Sequence, residues 1–107
     1  MRIIRHGDVC LREVQELPKN AQLKVKTNKH IVAWGEFTGH NHLLATKEKT
    51  KDLEIYDVDG VAYLVVNRVA TITHQEHKML EVPKATYQVV IEREYDPFME
   101  QIRTVKD

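Results

Sequence analysis

One cysteine, Cys10, is all that the chain contains, which excludes an intramolecular disulfide and any zinc site built on several thiolates. Read locally, Cys10 is a small buried apolar residue within a strand. Glycine and proline are sparse, at four and three residues. No Gly/Pro-rich linker divides the sequence, so a single domain spanning residues 1–107 is expected. Aromatic residues make up only 7%, too few for a row of base-stacking platforms. There is no excess of either charge, with 16 Lys+Arg against 16 Asp+Glu, so no net field draws the whole protein to nucleic acid or to an anionic membrane. No apolar run approaches membrane-spanning length, and the one that follows Met1 is too short for a secretory leader. A cytoplasmic location with no membrane partner is the resulting expectation.

Histidine is what the chain has in abundance: six residues that can add up to six positive charges as pH falls. They sit in a sequence that otherwise reads as short strands. Arg2 to Arg5 and Asp8 to Val14 are extended runs about His6-Gly7, where glycine permits a sharp bend. Asn20 to Lys29, with Lys24, Lys26 and Lys29 around Val25, reads as an exposed edge strand whose lysines oppose pairing with another chain. His30 to Phe37 and His40 to Ala45, separated by Thr38-Gly39, make a hairpin or one bent strand.

Asp59-Gly60 between Leu53–Val58 and Val61–Val66 is the sharpest local signal, a two-residue hairpin turn with positive φ. Asn67-Arg68 would then turn the chain into Val69–His74, completing a three-stranded meander in which Ala70, Ile72 and His74 share a face. Gln75 to Leu80 makes a short connection. Thr86 to Tyr95 alternates, with Tyr87, Val89, Ile91, Arg93 and Tyr95 on one side. Asp96-Pro97 caps a short C-terminal helix through Gln101, and Ile102 to Val105 offers a last strand. Eight or nine short strands predict a mainly β fold, a small antiparallel β-barrel or sandwich.

Two motifs concentrate metal-ligating chemistry, Gly39-His40-Asn41-His42 and His74-Gln75-Glu76-His77. On an extended chain His40 and His42 project from one face, a bite that suits one ion. His74 and His77 point apart on a strand but together on a turn, so the second pair requires a bend. Imidazole suits Zn²⁺, Fe²⁺, Ni²⁺ and Cu²⁺. A divalent metal ion, zinc or iron first, held by His40, His42, His74 and His77 is therefore the expected cofactor. Glu76 is placed as a ligand, an outer partner or a general base. His6, with Asp8 two residues on, is a candidate acid/base group, and Arg93 a candidate for holding an anionic substrate.

Arg5-His6-Gly7-Asp8-Val9, Gly35-Glu36-x-Thr38-Gly39-His40-x-His42, and His74-x-Glu76-His77 with Tyr87 and Arg93-Glu94-Tyr95-Asp96-Pro97 together resemble small proteins encoded in tailed-phage and bacterial genomes. That resemblance implies that the motifs form one site and implies no substrate. Gly35 followed by His40-x-His42 and a later histidine also resembles in part the metal-binding first motif of cupins. The glycine-to-histidine gap is one residue short, Glu48 comes late and the closing glycine is missing, which leaves a cupin-like barrel as one option among small β folds.

The leading expectation is a metal-binding β domain in which metal-bound water attacks a phosphoester or similar bond while Glu76 or His6 moves protons. The alternative is a non-enzymatic accessory module that binds a small anionic ligand or a protein partner, its histidines serving as hydrogen-bonding groups. Nucleic acid held by Lys19, Lys24, Lys26, Lys29, Lys47, Lys49 and Lys51 would be strongly salt-dependent, and the balanced charge argues against it as the main role.

Overall fold

The computed structural model describes residues 1–34, 41–47, 49–75 and 77–91. Within them the chain forms ten strands: β1 (Ile3–His6), β2 (Val9–Val14), β3 (Gln22–Thr27), β4 (Lys29–Trp34), β5 (Asn41–Thr46), β6 (Leu53–Val58), β7 (Val61–Val66), β8 (Ala70–Thr73), β9 (Leu80–Val82) and β10 (Ala85–Ile91). The expected C-terminal helix and the strand at 102–105 lie outside the described residues, which contain no helix.

Two tight turns start the architecture. His6 pairs with Val9 across Gly7-Asp8, and Gly7 has a φ of +64°, so glycine stands at the first central position where a II′ turn requires it. Val58 pairs with Val61 across Asp59-Gly60, where both central residues have positive φ, 51° and 85°, as a I′ turn demands.

The strands divide into two antiparallel sheets, one in the order β1-β2-β10-β7-β6-β3 and one in the order β4-β5-β8-β9. β3 lies at an edge with Leu23 and Val25 exposed, the position expected from its lysines. β4 pairs antiparallel with β5, so the run before the first histidine motif and the run after it are partners.

The three-stranded meander is not what forms. β6 and β7 pair as expected, but β10 takes the other side of β7, and β8 joins the second sheet between β5 and β9. The exit from β7 is wider than a tight hairpin and is tied backwards. Asn67 donates its amide to the Asp52 carbonyl at 2.8 Å and its side chain to Glu54, while Arg68 bonds the Asp52 carboxylate. Beyond these bonds the chain leaves β7 and crosses to the other layer. β9, only three residues long, is too short to show a period of its own.

Val9, Leu11, Leu53, Ile55, Leu64, Val66 and Tyr87 from the first sheet meet Leu44, Ala70, Ile72 and Val82 from the second in one apolar core, the arrangement of a sandwich. Cys10 is buried beside it. Tyr87 is fully buried and donates its hydroxyl to the Pro83 carbonyl at 2.7 Å. Tyr87→Phe removes that bond and strands the carbonyl, and is expected to cost about 1 kcal/mol, read as a lowered urea midpoint at unchanged m-value.

Candidate metal centre

β5 alternates strictly, with His42, Leu44 and Thr46 inside, so His42 occupies a core position in the same row as Leu44. On β8 Ala70 and Ile72 point inward, and His74, one step past the strand, continues that row into the interior, as the two-residue period predicts. Leu43 pairs with Thr73, and carrying the register one step further sets His42 opposite His74. Their ring centroids are 4.3 Å apart. The chain leaves regular pairing after Thr73, and in that bend His77 returns to within 4.6 Å of His74, centroid to centroid. The β1–β2 turn brings His6 from the other sheet, 5.1 Å from His42 and 5.6 Å from His77.

Four imidazoles from three separated segments of chain therefore meet where the two sheets approach each other. His42 is 0% exposed, His6 3%, Asp8 6% and His74 8%. Of the residues expected to carry the site, His42, His74, His77 and His6 come together; His40, Glu76 and Arg93 lie outside the described residues.

The polar atoms of this cluster are arranged unevenly. His6 has both ring nitrogens engaged, Nδ1 with His42 Nδ1 at 2.9 Å and Nε2 with the Lys78 carbonyl at 2.7 Å. By contrast, Nε2 of His42 and Nε2 of His77 are buried and make no hydrogen bond among the described residues. His42 Nε2 stands 3.2 Å from Asp8 Oδ1 without hydrogen-bond geometry. Two ligand atoms on one tetrahedral ion with bonds of about 2.0 Å are about 3.3 Å apart, so this pair has the spacing of one edge of a coordination shell. Among the described residues no three His, Cys, Asp or Glu side chains already surround one point; a shell of three or more requires a neighbouring ring to turn.

Gly7 is part of this packing and not only of the turn. A Cβ there would lie 2.7 Å from His77 Nε2 and 3.1 Å from His42 Cε1. Sequence reading found the glycine as a bend and missed this contact, since nothing local to residue 7 reveals that residues 42 and 77 pack on it. It also placed Asp8 beside His6, whereas the carboxylate reaches across to His42.

Burial drives the His42 pKa down to about 4, with the neighbouring His74 adding to the fall and Asp8 opposing it. Burial lowers His6 as well, against its bond to the Lys78 carbonyl. Unfolded histidine titrates near 6.5, so between that pH and about 4 the unfolded chain holds protons that folded His42 does not. Stability is full above pH 6.5 and falls as pH drops towards 4. Urea midpoints measured in chelator at pH 7.5, 5.5 and 4.5 are expected to decrease in that order.

An antiparallel two-sheet domain with a buried histidine cluster at its sheet junction is the class that fold and site define. The chain belongs to the family described as "Domain of unknown function (DUF8820)", whose model matches residues 5–92, a span that contains all four clustered histidines, Gly7 and Asp8. No curated protein and no solved structure matches it. No helix among the described residues is long and apolar enough to cross a membrane.

Proposed function

We propose that this domain holds one divalent transition-metal ion through His42 Nε2 and His77 Nε2, with Asp8 and His74 as the nearest groups to complete the shell. The observation that carries the reading is the pair of buried imidazole nitrogens, one from each of two chain segments, that make no hydrogen bond among the described residues and belong to rings whose centroids are 5.9 Å apart. Buried polar groups are ordinarily satisfied, and leaving one unmade costs about 1–3 kcal/mol. A metal ion satisfies both at once. Nitrogen with a carboxylate oxygen, and no thiolate, is a donor set for Zn²⁺, Fe²⁺, Ni²⁺ or Cu²⁺.

The ion would join the β1–β2 turn of one sheet to β5 and the β8–β9 connection of the other, acting first as a clasp between layers. Hydrolysis of a phosphoester by metal-bound water needs, in addition, a coordination position open to substrate. The near-complete burial of His42, Asp8 and His74 supports the holding role over the hydrolytic one.

Tag-free protein dialysed against buffered Zn²⁺ is expected to retain one equivalent by plasma mass spectrometry. His42→Ala and His77→Ala are each expected to lose it, with circular dichroism confirming the fold, while His30→Ala, on β4 opposite Leu44, keeps it. Zinc retained equally by all four proteins would overturn the assignment.

A further inference from the structure

The hydrogen bonds of His6 determine which nitrogen of His42 is available. The Lys78 carbonyl only accepts, so the 2.7 Å contact requires the hydrogen of His6 on Nε2. A neutral His6 then presents a lone pair at Nδ1, and the 2.9 Å contact to His42 Nδ1 requires the hydrogen on the His42 side. His42, carrying its one hydrogen on Nδ1, keeps a lone pair on Nε2, the atom that stands 3.2 Å from Asp8 Oδ1.

A nitrogen lone pair and a carboxylate oxygen at that distance have the spacing of two ligands on one ion. The relay from the Lys78 carbonyl through His6 to His42 therefore prepares a cation-binding edge. With its hydrogen on Nε2 instead, His42 would have no lone pair on that atom to offer an ion.

We propose that His6 is a positioning residue, not a ligand: it holds His42 in the Nδ1–H tautomer and leaves Nε2 free for the ion. This rests on the metal reading for its consequence, but the tautomer itself does not depend on whether metal binds. Outer partners that orient ligating histidines typically change metal affinity about 10- to 100-fold when removed.

The test has two parts. Long-range ¹H–¹⁵N correlation of the imidazoles in chelator at pH 8 is expected to show His42 as Nδ1–H; an Nε2–H signature there overturns the proposal whether or not the protein binds metal. Chelator competition with Zn²⁺ is then expected to show one site in His6→Leu weakened about 10- to 100-fold. His6→Gln, whose amide both accepts from His42 and donates to the Lys78 carbonyl, is expected to return to near wild-type affinity, with an unchanged Co²⁺ ligand-field spectrum. Loss of binding in His6→Gln equal to that in His6→Leu, or an altered Co²⁺ spectrum, would make His6 a ligand and overturn its positioning role. Unchanged affinity in a folded His6→Leu overturns it too. Should His6→Leu not fold, the wild-type tautomer and His6→Gln still decide. Absence of metal in the wild type with His42 as Nδ1–H would sink the metal assignment and leave the relay standing.

Discussion

Saturating Zn²⁺ is expected to raise the thermal midpoint of the tag-free protein by on the order of 10–20 °C, and His42→Ala is expected to abolish the rise. An ion that binds only the folded chain stabilises it by about 2.7 kcal/mol at 100 times its dissociation constant. A domain of this size shifts by roughly 4–8 °C per kcal/mol. The effect is this large because the proposed ligands, residues 8, 42, 74 and 77, come from distant parts of the sequence; the unfolded chain offers no comparable cluster. His42→Ala also vacates a core position and lowers the metal-free midpoint, so the diagnostic quantity is the difference between each protein with zinc and with chelator. A rise in the variant equal to that in the wild type would mean that zinc acts elsewhere.

Gly7→Ala is expected to cost about 3 kcal/mol, against about 1 kcal/mol for Gly60→Ala. Both glycines have positive φ, 64° and 85°, and an alanine in that region carries strain of about 1–2 kcal/mol. What separates them is the space around the new methyl group. At Gly60 nothing lies within 4 Å, whereas at Gly7 the methyl meets His77 Nε2 at 2.7 Å. The clash has to be relieved by moving His77 or by opening the β1–β2 turn, and either separates groups proposed to hold the metal. Urea denaturation of the two variants in chelator gives the comparison directly. Equal losses would reduce Gly7 to a turn residue; the expected excess, together with weakened zinc retention in Gly7→Ala alone, makes it the floor of the site.

Local chemistry made some of this legible in the sequence. Asp59-Gly60 announces a hairpin because only certain residues accept positive φ, and His6-Gly7 marks a bend for the same reason. The two-residue period put Ala70, Ile72 and His74 on one face, and that face is the interior. His74 and His77 were expected together only if the chain bends between them, and their rings are neighbours. Pairing partners were not legible in the same way. β8 crosses to the second sheet and β10 inserts between β2 and β7, choices set by which apolar faces close one core and not by the turn residues at Asn67-Arg68. The contacts that organise the site are of this long-range kind. His6 to His42 spans 36 positions and His6 to the Lys78 carbonyl 72. A carboxylate at residue 8 reads as the partner of its neighbour, His6; only the docking of the two sheets turns it towards His42.

X-ray absorption at the zinc edge, on the wild-type protein loaded with one equivalent, tests the central claim most directly. The expected spectrum is a four-coordinate nitrogen/oxygen shell at about 2.0 Å with at least two imidazoles in the outer-shell scattering and no sulfur. A six-coordinate, water-dominated shell, a sulfur ligand from Cys10, or failure to load zinc at all would contradict a metal centre built on His42 and His77.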